Sequence, residues 1–322
     1  MSQRVIRRAA VCGSGMMGPG IASALALGGV ETAIVSRSEN RAWAALDMAR
    51  QMVLLLEQHG LVTPAHSNRA LERLRSTGDF LDGVGGCDLV VESIPEDMGL
   101  KQEWIARVEA VIDEGAYITS NTSGLSITEM SSKAKHPERI ATTHFWNPPH
   151  LVPLVEIVMS PSTTEGMAQD LKALLEKCGK VPVIVRKDRP GQLGNRLQMA
   201  MVREAVNIVA EGIASVEDVD KAASLSFGLR LPVYGIFEHA DMVGLDMSYK
   251  ICDYVAQDLY SERRAPELYS LLVKQGQLGV KTGSGFYDWS KKDPEHVKAK
   301  RDRWLREFLK GQFGEEFRAK DE

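Results

Sequence analysis

The sequence predicts an α/β domain built on a parallel sheet, followed by an all-helical domain. Over residues 1–187, short β-branched runs alternate with helical stretches, which is typical of a parallel sheet with helices on both faces. After Pro190-Gly191 the apolar spacing becomes helical and stays so. A chain of 322 residues also suits two domains of roughly 150 residues each. We therefore predict domains at residues 1–187 and 188–322.

Composition narrows the possible classes of function. Hydrophobic residues at 44% and charged residues at 25% are typical of a globular protein. A net charge of −4 provides no basic surface for nucleic acid or anionic lipid. No apolar run approaches the ~18 residues of a membrane span, and the first apolar segment carries a glycine motif that cleavage of a signal peptide would remove. These features favour a small-molecule substrate over nucleic acid or a membrane.

Cysteine usage indicates the compartment. The four cysteines lie far apart, with no CxxC pair, and we expect them to be reduced thiols in the core of a cytoplasmic protein. They are Cys12, Cys87, Cys178 and Cys252.

The first βαβ unit carries a dinucleotide-binding motif. A strand at Ala9–Cys12 precedes a helix that runs to about Leu27, and a second strand follows at Thr32–Val35. Between strand and helix lies a GxGxxG sequence whose glycines allow a tight turn, approach of a pyrophosphate, and helix–sheet packing. The helix N-terminus then offers free N–H groups to the phosphates, as in Rossmann-type folds. The predicted contacts here are Gly13, Gly15, Met16, Met17 and Gly18.

The end of the second strand predicts which nicotinamide cofactor binds. An NAD site usually has Asp or Glu there for the ribose hydroxyls, whereas this chain has Ser36, followed by Arg37 and Arg41. A guanidinium can pair bidentately with the 2′-phosphate of NADP. We expect NAD(P)(H) with NADP(H) favoured, the alternative being a solvated loop with loose cofactor preference.

The remaining elements complete the predicted topology. Two helices are expected over Trp43–Arg75, with a break near Pro64, and a long helix over Gly191–Glu211 that ends at Gly212. Ser215 with Asp218 is a capping-box variant that opens the next helix, and residues 291–310 are expected to form a solvated helix. Further strands are expected at 89–91, 117–119, 140–143 and 181–185.

Polar side chains cluster where the later strands end. This is where open α/β sheets bind ligands. His144 and Glu156 stand 12 residues apart, joined by a proline-rich loop that can bring the carboxylate back to the imidazole. A carboxylate fixes the tautomer of a histidine and stabilises the imidazolium, so this pair is a candidate general base. The other members of the cluster are Glu92 to Glu96, Lys101 and Ser120 to Ser123.

These motifs, in this order, resemble the 3-hydroxyacyl-CoA dehydrogenase family. The matching segments are the glycine loop, Ser120 to Ser123, His144-Phe145-x-Asn147-Pro148, Pro190-Gly191 with Asn195-Arg196, Val243 to Asp246, and Lys281 to Tyr287. The resemblance implies a homodimer that interconverts 3-hydroxy and 3-oxo groups by hydride transfer without a metal. It also implies that His144 is the base, that Glu156 orients it, and that Ser123 and Asn195 hydrogen-bond the reacting oxygen. Glu96, Lys101 and Asn121 would lie at the cofactor.

Each of these residues also has a structural interpretation. Ser123 could cap the following helix, Glu156 could be a solvated strand residue, and Asn195 could bond its own backbone. His239, between Glu238 and Asp241, lacks metal-ligand spacing, so we expect a solvated or interdomain role. A non-catalytic dinucleotide-binding protein of the crystallin type, and a dehydrogenase of an unrelated alcohol, are the competing interpretations of the whole chain.

The substrate is less closely defined. In the acyl-CoA enzymes of the family, lysines of the helical pair meet the CoA phosphates, but residues 1–100 of this chain contain no lysine and the pair offers only arginines. Several segments resemble the lambda-crystallin and L-gulonate 3-dehydrogenase branch, in which Arg230 would bind a substrate carboxylate. Lys281 to Tyr287 instead resembles the hydroxybutyryl-type enzymes. We expect a small polar 3-hydroxy acid, with a 3-hydroxyacyl thioester as the alternative.

Overall fold

A single sheet forms the centre of the first part of the chain. The computed structural model describes residues 4–313, and within them eight strands are hydrogen-bonded in the order β3-β2-β1-β4-β5-β6-β7-β8. All neighbouring strands are parallel except β6 and β7, which are antiparallel. The strands are β1 Arg8–Cys12, β2 Glu31–Val35, β3 Leu74–Thr77, β4 Leu89–Glu92, β5 Tyr117–Ser120, β6 Ile140–Phe145, β7 Leu154–Met159 and β8 Val181–Val185.

Helices cover both faces of this sheet and make up most of the chain after it. The predicted Rossmann-type α/β class with a helical C-terminal part is therefore confirmed. The helices of the described residues are α1 Gly18–Leu27, α2 Glu39–Gln58, α3 Pro64–Arg73, α4 Phe80–Val84, α5 Met98–Glu109, α6 Ile127–Met130, α7 Glu165–Lys177, α8 Gly194–Ala210, α9 Val216–Leu225, α10 Phe227–Arg230, α11 Ile236–Val243, α12 Leu245–Val255, α13 Glu267–Lys274 and α14 Pro294–Phe313.

Two of the strands were not expected. The predicted helical pair ran to Arg75, but α3 ends at Arg73 and β3 begins at Leu74, which pairs with Thr32. Leu71 and Leu74 keep a helical spacing, and the pairing with β2 overrides that local pattern. The other is β7, which turns the predicted return loop into an antiparallel pairing with β6.

Two apolar layers, one on each face of the sheet, form the larger part of the described core, and a smaller cluster lies around Leu56, Leu151 and Leu309. Ala9 and Val11 of β1 face the layer formed with α1, α2 and α7, whereas Ala10 and Cys12 face the layer formed with α5 and α6. Strands buried on both faces read as continuous apolar runs, which is why these strands are recognisable in the sequence.

The chain groups into two compact units, residues up to Asn195 together with those from Ala299 on, and Arg196–Lys298. Residues 1–3 and 314–322, at the outer ends of the two predicted domains, lie outside the described residues. The long helix begins at Gly194 instead of Gly191, because Gly191 and Gln192 have φ of +78° and +54°. The Ser215 cap is confirmed, since its hydroxyl accepts a hydrogen bond from the Asp218 N–H at 3.1 Å.

The cysteine prediction needs one correction. Cys12, Cys87 and Cys178 are buried as expected, but Cys252 is exposed, on a helix with no buried residue. No helix within residues 4–313 is long and apolar enough to cross a membrane.

Candidate active site

In the glycine loop between β1 and α1, the space beside the backbone is empty at one glycine and filled at two others. Gly13 has a φ of +141°, and a Cβ there would lie 2.2 Å from the Ser93 carbonyl oxygen. A Cβ on Gly18 would lie 1.9 Å from the Gly13 oxygen, so both positions require glycine. A Cβ on Gly15 would meet nothing within 4 Å. The loop therefore packs tightly at both ends and leaves room at its middle, which fits a dinucleotide pyrophosphate at the N-terminus of α1.

A cavity of about 290 Å³ lies beside this loop. It brings together side chains that follow β4 and β5 with Lys101 of α5 and the glycine loop. The sequence-predicted residues that line it are Gly15, Met16, Met17, Glu96, Lys101, Asn121 and Ser123.

A buried ion network lies on one side of the cavity. Lys101 Nζ donates to both carboxylate oxygens of Glu92, at 2.7 and 2.8 Å, and lies 3.1 Å from Glu96 Oε2. Glu92 and Lys101 are 0% and 1% exposed, and Ser120 Oγ also donates to Glu92. Burial opposes ionisation of Glu96, but hydrogen bonds from Thr122 and Lys101 together with the charge of Lys101 hold its pKa below the usual value. The network thus keeps an ionised Glu96 at the cavity.

The end of β2 presents cations to solvent. Ser36 Oγ is 2.8 Å from Ser14 Oγ of the glycine loop, which places the predicted specificity residue beside the motif. Arg37 and Arg41 are exposed, and neither forms a salt bridge with any residue that the structure describes. Their guanidinium groups are therefore available to an anion.

His144 and Glu156 meet as a cross-strand pair. They are directly opposite in the register of β6 and β7, and His144 Nδ1 donates to Glu156 Oε2 at 2.7 Å. The two residues are 4% and 0% exposed. No described residue hydrogen-bonds the other ring nitrogen, Nε2. Sequence reasoning predicted this contact, although the structure achieves it by strand pairing and not by a loop alone.

Four donors surround the Glu156 carboxylate. Besides His144, Trp146 Nε1 donates to Oε2 at 3.0 Å, and the backbone N–H groups of Leu193 and Gly194 each donate to Oε1 at 2.9 Å. Burial opposes ionisation of Glu156, but the hydrogen bonds from His144, Gly194 and Leu193 outweigh it and lower the pKa. Glu156 is therefore held as a carboxylate. Sequence reasoning missed Trp146, which occupies the variable position of its motif.

Asn121, Ser123 and Asn195 are linked through backbone groups. Asn121 Oδ1 accepts from the Phe145 N–H at 2.8 Å, which ties the end of β5 to the residue after His144. Asn195 Nδ2 donates to the Ser123 carbonyl oxygen at 3.0 Å, and Gln192 Nε2 donates to the Thr122 carbonyl oxygen at 2.8 Å. The loop that carries Ser123 is thus attached to the start of α8.

Arg230 belongs to the second unit. Its Nη1 is 3.3 Å from His239 Nε2, and the His239 ring stacks on Tyr234 with centroids 5.4 Å apart. His239 therefore lies beside a guanidinium, in surroundings that do not suit a metal ligand. Binding of a carboxylate by Arg230 stays a prediction.

Comparisons with known families match two consecutive stretches of the chain. The family model described as 3-hydroxyacyl-CoA dehydrogenase, NAD binding domain, matches residues 8–189, and the model of the C-terminal domain matches residues 191–289. One relative is 5-formyl-3-hydroxy-2-methylpyridine 4-carboxylate 5-dehydrogenase of Mesorhizobium japonicum, 31% identical over 94% of this chain and 96% of its own. Another is a probable 3-hydroxybutyryl-CoA dehydrogenase of Bacillus subtilis, 33% identical over 89% of this chain and 99% of its own.

Solved structures of the same two kinds of dehydrogenase are also similar to this chain. A crystal structure of the 5-formyl-3-hydroxy-2-methylpyridine 4-carboxylic acid 5-dehydrogenase, described as an NAD⁺-dependent dismutase, superimposes with a TM-score of 0.89 at 29% identity, covering 95% of this chain and 98% of that one. The (S)-3-hydroxybutyryl-CoA dehydrogenase of Ralstonia eutropha gives 0.73 at 30% identity, covering 89% and 100%.

Proposed function

Since the chain belongs to the 3-hydroxyacyl-CoA dehydrogenase family, NAD-dependent oxidoreductases that interconvert 3-hydroxy and 3-oxo groups, we propose that His144 and Glu156 are its general acid–base pair. The observation that supports this is the 2.7 Å bond from Nδ1 to a buried carboxylate, which leaves Nε2 without a partner among the residues that the structure describes. A non-catalytic structural role is not favoured, because the relatives are named dehydrogenases.

In the oxidation direction, Nε2 of His144 takes the proton of the substrate hydroxyl. The negative charge of Glu156 stabilises the imidazolium that forms, and its bond to Nδ1 holds the ring in the tautomer with Nε2 unprotonated at the start. A nicotinamide held at the cavity beside the glycine loop would supply the hydride acceptor in this direction and the hydride donor in the other. Asn195 Nδ2 donates to the Ser123 carbonyl oxygen at 3.0 Å, which holds the two residues together. In this proposal Ser123 and Asn195 hydrogen-bond the reacting oxygen. Glu96, Lys101 and Asn121, which line the cavity beside the glycine loop, would hold the cofactor there.

The test is His144→Gln, assayed with the reduced cofactor and acetoacetyl-CoA or acetoacetate. Loss of a general acid–base group lowers kcat by roughly 10²–10⁴-fold. Cofactor affinity, followed by fluorescence titration, stays at the wild-type value. The matched control is His136→Gln, which removes a surface histidine paired with Glu138. Undiminished turnover in His144→Gln would remove the proposed role.

We infer a preference for NADP(H) over NAD(H) from the end of β2. The support is the serine at position 36 and the two unpaired, exposed guanidiniums of Arg37 and Arg41. Arg37→Gln removes one charge-assisted bond to the 2′-phosphate, so kcat/KM with NADPH falls ~10–100-fold while kcat/KM with NADH is unchanged. Arg50→Gln, at an exposed arginine of α2, is the control. Equal or better efficiency of the wild type with NAD(H) would contradict the preference.

For the substrate we propose a small 3-hydroxy acid that carries a carboxylate. The helical pair α2–α3 has no lysine, and three of its neighbouring arginines, Arg69, Arg73 and Arg75, line a cavity with the first residues of β1 and β2. This arginine-lined cavity lies at the amino end of the sheet, whereas His144 lies at the carboxyl end, so these arginines are not beside the proposed catalytic histidine. One relative is named for a pyridine carboxylate, which is consistent with an acidic substrate.

A 3-hydroxyacyl-CoA thioester is the second candidate, favoured by the relatives named 3-hydroxybutyryl-CoA dehydrogenase. Comparing kcat/KM for acetoacetyl-CoA with that for acetoacetate decides between the two. If the free acid is preferred, Arg230→Ala should raise its KM, because a guanidinium suits a carboxylate. An unchanged KM would remove Arg230 from the substrate site.

We propose that the second unit dimerises. None of its helices α9 to α13 contains a buried residue, and large apolar side chains are exposed on them, including Phe237 at 86% and Tyr254 at 80%. Exposed apolar patches of this kind mark interaction surfaces. Sedimentation should give twice the 35.4 kDa chain mass, and Phe237→Glu should lower it. A monomeric wild type would contradict the proposal.

We also propose a reducing, cytoplasmic location. None of the four cysteines, all of which the structure describes, forms a disulfide, and Cys252 is exposed. Free thiols persist where glutathione and thioredoxin keep them reduced. A thiol assay on denatured protein purified without reductant should count four thiols per chain.

A further inference from the structure

The Trp146 side chain touches both members of the His144–Glu156 pair. Its Nε1 donates to Glu156 Oε2 at 3.0 Å, the same oxygen that accepts from His144 Nδ1 at 2.7 Å. Its ring centroid lies 5.3 Å from that of His144, with the two planes tilted by 53°. Trp146 and His144 therefore share a single acceptor atom, and what one donor takes from that oxygen is not available to the other.

The indole is also fixed in place by the start of α8. A Cβ on Gly194 would lie 2.5 Å from Trp146 Cζ2, so the ring rests directly on a residue that has no side chain. The Gly194 N–H donates to the other oxygen of Glu156. The start of α8 thus contacts both the Glu156 carboxylate and the Trp146 ring. Each oxygen of Glu156 accepts from two donors: His144 and Trp146 on Oε2, and the N–H groups of Leu193 and Gly194 on Oε1.

We propose that Trp146 is a positioning residue that weakens the hold of Glu156 on the His144 proton. A second N–H donor on Oε2 withdraws negative charge from the oxygen facing the imidazole. The imidazolium is then stabilised less than it would be by a carboxylate bound to His144 alone, so His144 releases its proton more readily. The indole also prevents rotation of the carboxylate. This inference rests on the proposed roles of His144 and Glu156.

Trp146→Phe removes the N–H donor and keeps an aromatic ring of similar shape. The ¹⁵N NMR titration of the histidine side chains then reports directly on the pair without any substrate, and the signal of His144 is identified by its absence in His144→Gln. The His144 titration midpoint should move to higher pH by up to ~1 unit, the equivalent of one neutral hydrogen bond. The acidic limb of the kcat/KM profile should move the same way.

A second variant tests the same contact from its other side. Gly194→Ala keeps the indole N–H but forces the ring away from Glu156, and alanine suits the first turn of a helix better than glycine. It should shift the titration in the same direction as Trp146→Phe. Trp104→Phe is the control, because Trp104 is buried among the residues of α5 and β4 and contacts neither member of the pair.

The outcomes distinguish a failure of the Trp146 positioning role from a failure of the proposed acid–base role of His144. A Trp146→Phe titration curve that superimposes on the wild-type curve overturns the inference, even where kcat falls at every pH, because a merely structural role would produce that pattern. If His144→Gln turns over at the wild-type rate, the proposed function fails instead. A shift in Trp146→Phe and Gly194→Ala without one in Trp104→Phe supports the positioning role.

Discussion

Among the described residues of the first unit two lysines are buried, and their surroundings differ sharply. Lys101 of α5 lies between two carboxylates, Glu92 at 2.7 Å and Glu96 at 3.1 Å. Lys180, just before β8, donates to the carbonyl oxygens of Pro149 and Val152, and among the described residues it has no carboxylate within salt-bridge distance. Both lysines are less than a tenth exposed. Carboxylates therefore surround the Lys101 amino group, whereas only the dipoles of backbone carbonyls face that of Lys180.

The two lysines serve different loops around the same site. Lys101 fixes Glu96 at the cavity beside the glycine loop, whereas Lys180 attaches the loop that joins His144 to Glu156. Burial lowers the pKa of Lys180 to about 8, because no neighbouring carboxylate offsets the loss of hydration. The comparison teaches that the loss of hydration lowers the pKa of a buried lysine when no carboxylate lies beside it. Each lysine can be tested by removing its charge.

Lys101→Met should have the largest effect. It leaves Glu92, which is 0% exposed, as an uncompensated buried charge, and breaking a buried pair in this way costs about 3–5 kcal/mol in the free energy of unfolding. Denaturant unfolding measures the loss, and cofactor affinity should fall with it. Lys172→Met, at a half-buried lysine of α7, is the control.

If Lys101→Met is too unstable to purify, a double variant tests whether the stranded charge of Glu92 causes the instability. Glu92→Gln removes the stranded charge, so the pair Lys101→Met with Glu92→Gln should be more stable than Lys101→Met alone. Equal instability of the single and double variants would show that packing, and not charge, explains the loss.

Lys180→Met should change how stability depends on pH. The folded state releases the Lys180 proton near pH 8, whereas the unfolded chain keeps it to about 10.5. Between these values the unfolded state binds more protons, so Lys180 makes the wild type more stable as pH rises. The stability of the wild type relative to Lys180→Met should increase across this window by about 3 kcal/mol.

The matched control for that titration is Lys177→Met, an exposed lysine at the end of α7. Its stability should follow the wild-type curve throughout. Parallel curves for the wild type and Lys180→Met from pH 8 to 10 would contradict the contrast between the two lysines.

The sequence predicted much of the fold and the centre of the site, for physical reasons. Buried parallel strands read as apolar runs, and the glycine loop has a fixed spacing that backbone geometry demands. His144 and Glu156 were recognisable because the proposed acid–base role needs an imidazole and a carboxylate near each other. The strand β3 was hidden because Leu74 continues the helical spacing of Leu71, and only pairing with β2 overrides it.

Other features could not be predicted because they depend on tertiary distance. The Trp146 contact requires the strand pairing that places an indole beside a carboxylate ten residues away. Lys180 carries no sequence signal, since its partners are backbone carbonyls about thirty residues earlier in the chain. The burial of Glu92 depends on Lys101 and Ser120, which lie on different elements.

The smallest expected effect concerns His150, on the loop that Lys180 attaches. Burial, and then the charge of Lys180, lowers the pKa of His150 to about 4. Lys180→Met removes the second cause and leaves the first, so the pKa of His150 should rise while staying below its usual value. Histidine NMR between pH 3 and 7 measures this shift, and Lys177→Met should leave it unchanged. An unmoved His150 would mean that the Lys180 charge does not reach the loop, and the attachment would then act through hydrogen bonds alone.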